Sequence, residues 1–376
     1  MTLISISARP LDIAFKTSFK HASASREATQ SLWVTARSTD GTTGHGEGCP
    51  REYVTGETIE GALAFVVGHE RAWINAIADA DSLARWVADN TAEIDAHPAA
   101  WAAVELALLD LLGKRAEQTV ESLLRLPAIA GQFRYTAVIG DGSAQRFGAE
   151  LDRYLRAGFK DFKIKLSGDA QRDRDKVAAL RAAGVPPAAV RADANNLWRD
   201  AQVAIEFLSA LDFAFMGIEE PLRAGDLAGL ARIGAALSTA LILDESLLRV
   251  GQLDTLPEAP ARWIVNLRIS KMGGLLRSLA LAERLRHVGL SLIVGAHVGE
   301  TSLLTRAALS VANAFRDILV AQEGAFGTHL LEQDVVDPPL MFGAGGLLDG
   351  DAVSRSPGWG LDCHVSRDEA GAIQAP

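Results

Sequence analysis

The 376-residue chain is 48% hydrophobic and 22% charged with a formal net charge of −10, which suits a soluble protein long enough for two domains with large cores. Acidic and basic residues are interspersed, and the absence of a Lys/Arg stripe able to displace phosphate counterions argues against a nucleic-acid partner. The two cysteines, Cys49 and Cys363, have neither metal-ligand spacing nor the density of a disulfide scaffold, so a reduced compartment fits.

The opening residues, MTLISISARPLDIAFK, contain no positive segment leading into a long apolar core, and no signal peptide is read. No apolar run is long enough to span a bilayer, which predicts no membrane partner and a cytoplasmic location. ISISARPLDI and SLWVTARSTD alternate roughly between apolar and polar residues and are expected to be strands. The polar stretch between them, Thr17 to Gln30, has no periodicity and is expected to be a long loop, mobile or functional. GTTGHGEGCPREYVTGET reads as a second turn-rich segment. Helices follow. The clearest is HPAAWAAVELALLDLLGKRAEQ, whose Trp101, Val104, Leu106, Leu108, Leu109 and Leu112 crowd one broad face. Residues 1–125 are therefore expected to form an α+β domain.

From about Phe133 the rhythm changes to short apolar strands alternating with Ala- and Leu-rich helices. RYTAVIG, DFKIKL, PAAVRADAN, FAFMGIEEP, TALILDES, RWIVNLRIS, LSLIVGAH and DILVAQEG predict an α/β fold, a TIM-type (β/α)8 barrel, over residues 126–344. An open doubly wound sheet would show a Gly-rich phosphate turn after its first strand, and VIGDGSAQ is a poor match. The loop-rich tail, about 345–376, is expected to return to the first domain.

Charged residues recur at the spacing of one β/α unit. After Lys165 come Asp193 (193 − 165 = 28), Glu219 (219 − 193 = 26), Asp244 (244 − 219 = 25) and Arg268 (268 − 244 = 24). They should occupy equivalent places at the C-terminal strand ends, where barrel active sites are built. Strand parity agrees: Lys163 and Lys165, Arg191, Asp193 and Asn195, and Asn266, Arg268 and Ser270 each share one face of their strand. Burying these charges requires that they neutralise one another or a metal. Three oxygen ligands without His or Cys suit Mg²⁺ or Mn²⁺ rather than zinc.

FKIKL, RADAN, IEEP and LDES, together with the earlier YVTGET, make the chain resemble the enolase superfamily over nearly its full length, and within it the muconate lactonizing enzyme (muconate cycloisomerase) subgroup. The resemblance implies a modified (β/α)7β barrel with an N-terminal α+β capping domain, and a homo-oligomer. It implies Asp193, Glu219 and Asp244 as Mg²⁺ ligands, choosing Glu219 over Glu220 and Asp244 over Glu245. Lys165 would be the base that removes a proton α to a substrate carboxylate, and Lys163 would help hold that carboxylate. The chemistry is coherent on physical grounds, because an α proton leaves only if the enediolate is stabilised electrostatically, which a divalent metal supplies.

One position departs from the subgroup. Its sixth-strand motif has the form N-x-K-x-x-K-x-G-G, and NLRISKMGG places Arg268 at the first lysine and Lys271 at the second. Arginine stays protonated and is a poor base. This tilts the expectation toward one-base chemistry on a small carboxylate, a cycloisomerase or dehydratase. The alternative is a racemase or epimerase of an amino-acid derivative, with Lys271 or His297 as second acid/base; Lys271 has the wrong parity if the strand continues. Glu300 is a candidate acid or support, and Glu323 at the eighth strand end is similar. The paired aspartates expected there in a dipeptide epimerase of this subgroup are absent, which disfavours a dipeptide. Phe19, His21 and Tyr53 on the N-terminal loops, with Asn195, are the expected substrate contacts. A Schiff-base aldolase leaves the three carboxylates unexplained, and a non-catalytic paralogue leaves Lys165 unexplained.

Overall fold

The computed structural model describes residues 2–21, 24–257, 262–324 and 327–364. The end of the tail, 365–376, lies outside the described residues. The N-terminal layer begins with β1 (Leu3–Leu11), β2 (Ala14–His21), β3 (Ala24–Ala28), β4 (Ser31–Ser38) and β5 (Thr43–Gly48). β1, β4 and β5 form an antiparallel sheet in the order β1-β4-β5, while β2 and β3 pair with each other.

Two expectations are corrected here. The segment Thr17 to Gln30 is largely a hairpin, with Phe19 opposite Arg26 and Lys20 opposite Ser25, because short-range pairing satisfies its backbone without needing apolar alternation. The turn-rich reading of TGHGEG also fails, since these residues are β5. Its glycines occupy every second position, on the face that meets the helix Pro98–Arg115. A Cβ on Gly44, Gly46 or Gly48 would lie 2.2, 2.0 and 2.0 Å from the backbone oxygens of Ala107, Ala103 and Ala99. Period two on the strand thus meshes with period four on the helix. The helix is buried from Pro98 to Gly113 on every side rather than on one face, being packed between this sheet and the barrel.

β6 (Gln132–Arg134) leads into the barrel strands β7 (Ala137–Ile139), β8 (Phe162–Lys165), β9 (Val190–Asp193), β10 (Gly217–Glu219), β11 (Ala240–Leu243), β12 (Arg262–Leu267), β13 (Ser291–Val294) and β14 (Leu319–Gln322). All eight predicted strands are present, parallel and in sequential order. The Thr136 amide donates to the Gln322 carbonyl at 2.8 Å and so joins the last strand to the first. The fifth connection is reduced: among the described residues it holds only a 3₁₀ helix, Val250–Thr255. On the inward face Ala240, Ile242, Ile264, Ile293 and Ala321 pack as a separate apolar floor. The polar inward face expected from parity therefore begins only above this floor. In the tail, β15 (Leu347–Asp349) pairs with β6, and the Trp359 indole donates to the Leu106 carbonyl at 3.0 Å.

Glu105, on the same long helix, caps a barrel helix. Its Oε1 accepts from the Leu276 amide at 2.9 Å, while its buried Oε2 has no hydrogen-bond partner among the described residues. Gly274 turns beside it with φ +102°, and a Cβ there would lie 2.4 Å from Oε1. Burial pushes the Glu105 carboxyl up to about 7.

Two predictions test this interface. Gly46→Ala is expected to cost about 1–3 kcal/mol in denaturant unfolding, and Ala103→Gly in the same chain does not restore it, because the obstacle is a backbone oxygen. Since the folded chain binds a proton at Glu105 that the unfolded chain loses near pH 4.5, its contribution to stability falls as pH rises from there to about 7. Thermal unfolding of Glu105→Gln, compared with the parent at pH 5 and pH 8, should therefore improve relative to the parent at the higher pH, by on the order of 2 kcal/mol.

Candidate active site

Register, not chance, assembles the charges. Lys165 stands opposite Asp193 across β8 and β9, and Asp193 stands opposite Glu219 across β9 and β10. Asp244 and Arg268 follow directly after the ends of β11 and β12. The C-terminal end of the sheet thus carries Lys165, Asp193, Glu219, Asp244 and Arg268, as their spacing predicted.

The side chains form one network. Lys163 Nζ lies 2.8 Å from Glu219 Oε1, 3.2 Å from Asp193 Oδ2 and 3.1 Å from Glu323 Oε2. Lys165 Nζ lies 2.6 Å from Asp193 Oδ2 and donates to Asn195 Oδ1 at 2.7 Å. Arg268 pairs with Asp244 Oδ2. Glu220, the neighbour of Glu219, points elsewhere: it accepts from the Asp244 and Ser246 amides, both at 2.7 Å, and from the Ser246 hydroxyl. It ties the ends of β10 and β11 and has no free oxygen to offer the cluster.

The electrostatics expose a deficit of positive charge at Glu219. Burial opposes the charge of Asp193, yet Lys165 and Lys163 outweigh it and hold that carboxyl well below the usual range. Asp244 is likewise held down by Arg268 and Lys271 against burial. Burial also opposes the charge of Lys163, but Glu219, Glu323 and Asp193 keep its pKa well above the ordinary lysine value. Of these three carboxylates only Glu219 is pushed well above the carboxylate range, by burial and then by Asp193, Glu323 and Asp244, which exceed what Lys163 offsets. Its Oε2 is buried without a hydrogen-bond partner among the described residues. Three buried carboxylates at consecutive strand ends, one with an unmet oxygen, are oxygen donors of the kind a hard divalent cation takes. Asp193, Glu219 and Asp244 are the residues that could hold it.

The opposite wall carries Arg268 and His297; in a ring of eight strands the sixth and seventh face the second. β12 ends at Leu267, and a single helical turn, Ile269–Met272, follows. This turn overrides strand parity: it brings Lys271 inward, while Ser270 leaves the mouth to accept the Cys49 amide at 2.7 Å. Lys271 is fully buried, and its ammonium donates to Asp244 O, Asp244 Oδ1 and Asn266 O at 2.8, 2.9 and 2.7 Å. It sits behind the carboxylate rather than against the pocket. His297 lines the pocket, and neither ring nitrogen has a hydrogen-bond partner among the described residues. Burial, then Arg268 and Arg51, press its pKa well below the usual histidine value, so it is neutral.

Of the other expected residues, Tyr53, Asn195 and Glu323 line the same pocket, with Val138, Val298 and Gly324. Glu300 does not; it lies beneath His297, accepting the His297 backbone N–H at 2.7 Å. The side chains of Phe19 and His21 lie outside the described residues. Sequence reasoning missed Glu245, which lines the pocket, and Asn266 as a partner of Glu219 at 3.4 Å; parity had placed Asn266 on the correct face. It also missed Lys176, whose ammonium meets the Lys165 carbonyl at 2.8 Å and Asp173 at 2.9 Å, because a helix residue shows no such role in a strand pattern. A larger hollow of about 440 Å³, lined by Arg181, Leu208, Phe213 and Phe215, opens near the opposite strand ends and holds none of these groups.

Residues 5–125 match the mandelate racemase/muconate lactonizing enzyme N-terminal domain, and residues 146–367 match the enolase C-terminal domain-like family. A hydrophobic dipeptide epimerase of Enterococcus faecalis is 27% identical over 87% of this chain and 92% of its own. The structure of a dipeptide epimerase from Methylococcus capsulatus, with Mg and the dipeptide L-Arg-D-Lys, superposes with a TM-score of 0.81 at 27% identity, covering 96% of this chain and 99% of that one. A chloromuconate cycloisomerase of Cupriavidus pinatubonensis is 25% identical over 77% of each chain. Epimerases thus stand among the relatives ahead of the cycloisomerase that the sequence motifs suggested. The chain belongs to the enolase superfamily, with both the N-terminal and the barrel domain of its mandelate racemase/muconate lactonizing enzyme branch.

Proposed function

We propose that this protein is a metal-dependent isomerase that removes and returns the proton α to the carboxylate of an amino-acid derivative, using Lys165 on one face and His297 on the other. The observation that carries this reading is the pair itself: an amine and a neutral imidazole on opposing walls of one pocket, beside three buried carboxylates. A divalent cation held by Asp193, Glu219 and Asp244 would supply charge stabilisation for the substrate carboxylate as the α proton leaves.

The protein's own groups divide the remaining work. Asp193 and Asn195 fix the Lys165 amine at the pocket, where it exchanges the proton on its face. Lys163 and Arg268 keep their protons and contribute fixed positive charge around the substrate carboxylate. Lys271 is withdrawn by its three acceptors, so of the two alternatives for the opposite face His297 is retained. Its unprotonated imidazole accepts a proton there, and its imidazolium returns one.

The epimerases among the relatives support an amino-acid derivative, and a dipeptide is admitted despite Glu323 standing where paired aspartates were expected. A second reading, one-base cycloisomerisation or β-elimination, is favoured by Arg268 in place of lysine and by the cycloisomerase relative.

NMR in D₂O with Mg²⁺ and a panel of dipeptides and N-acyl amino acids separates the two. Deuterium should enter at the α carbon with inversion, and EDTA or Lys165→Ala should slow this by about 10²–10⁴-fold. His297→Asn should abolish inversion while leaving Lys165-dependent exchange. Exchange that survives EDTA sinks the proposal, and incorporation only with retained configuration by the parent enzyme moves the assignment to the one-base reading.

A further inference from the structure

His297 has a second set of neighbours. Cys49 follows β5 in the N-terminal layer, and Glu300 shares with His297 the loop after β13. Cys49 Sγ, a His297 ring nitrogen and a Glu300 carboxylate oxygen lie within 4.8 Å of one another, and all three residues are buried. His297 Nδ1 is 3.5 Å from Glu300 Oε1, with side-chain exposures of 1% and 3%.

The unsatisfied imidazole points to a ligand. Both nitrogens of this buried imidazole lack a hydrogen-bond partner among the described residues, a costly state for a histidine that nothing else satisfies. The donors are also held in place before anything binds. The Cys49 amide donates to Ser270 Oγ at 2.7 Å, the thiol lies 3.3 Å from Ser31 Oγ, and Glu300 Oε1 holds the His297 amide at 2.7 Å. One sulfur, one nitrogen and one oxygen suit a borderline transition metal such as Zn²⁺ or Co²⁺ and are a poor set for Mg²⁺.

We propose that Cys49, His297 and Glu300 form a second cation site, for a zinc-like transition metal, that bridges the N-terminal layer to the barrel. Three protein donors leave a fourth position for water. The charge balances: the thiol and the Glu300 carboxyl each release a proton to solvent, and one divalent cation replaces them. The exchange keeps the buried site's charge unchanged; burial holds both groups protonated until a metal arrives, with Glu300 pushed up to about 8, so binding strengthens as pH rises. Adjacent Arg51 does not compete for the donors, because its guanidinium is taken up by the carbonyls of Gln30, Pro50, Thr29 and Val298. With the function proposed above, on which this consequence rests, metal at the site withdraws His297 from proton transfer, so zinc inhibits.

Cobalt distinguishes this site from the all-oxygen one. The full chain, saturated with Mg²⁺, is titrated with Co²⁺ and followed in the near ultraviolet for thiolate-to-cobalt charge transfer. The band should saturate at one equivalent, vanish in Cys49→Ser and Cys49→Ala, and persist in Glu219→Gln and Cys363→Ser, with circular dichroism confirming the fold of each. Zn²⁺ should inhibit α-proton exchange in the parent and be at least about tenfold less potent against Cys49→Ala. No band, or a band that survives loss of Cys49, overturns the site. A band abolished by loss of Cys49, without zinc inhibition, supports the site and overturns the role of His297 in turnover.

Discussion

Everything at the mouth of this barrel follows from the cost of burying charge. Lys163, Asp193, Glu219, Asp244 and Lys271 are each almost wholly removed from water, and an isolated ion in that setting is expensive. The network answers by placing each cation between carboxylates: Lys163 touches Glu219, Asp193 and Glu323, and Asp244 is held between Arg268 and Lys271. It answers incompletely at Glu219, whose second oxygen has no hydrogen-bond partner among the described residues. A scaffold that leaves a buried carboxylate oxygen unmet, among other oxygen donors, is preorganised for a cation rather than for stability alone.

The same constraint reaches outward. Glu220 spends both oxygens on the amides and hydroxyl between β10 and β11, so adjacent glutamates in one dipeptide divide into a site residue and a brace. Lys176 and Asp173 grip the loop just beyond Lys165, with Asp173 accepting the Ser167 amide at 3.0 Å. In the N-terminal layer, the glycine-lined strand β5 lets the long helix approach until backbone meets backbone, and that contact sets how close the sheet stands to the helix that packs against the barrel. Precision at a reacting carbon depends on such supports, since small displacements there cost large factors in rate.

How much of this was legible in the sequence varied with the type of signal. The barrel and its charged mouth were readable because strand parity and unit spacing are local regularities: all eight strands and the consecutive positions of Lys165, Asp193, Glu219, Asp244 and Arg268 follow from them. Parity bears on Lys271 only if the strand continues, and a helical turn after Leu267 replaces it. β5 reads as turns because glycine is ambiguous by itself; its meaning comes from Ala99, Ala103 and Ala107, more than fifty residues along the chain. Cys49 gave no metal signal, because its companions lie some 250 residues away and only the fold brings them together.

Glu219, with Asp193 and Asp244, should complete its charge balance with a divalent cation while Glu220 takes no part. Manganese binding to the full chain, followed by electron paramagnetic resonance, tests it most directly. One tight Mn²⁺ site that Mg²⁺ displaces is expected, weakened by about tenfold or more in Glu219→Gln and little changed in Glu220→Gln. Equal loss in both variants, or Mn²⁺ binding indifferent to Glu219, would contradict it.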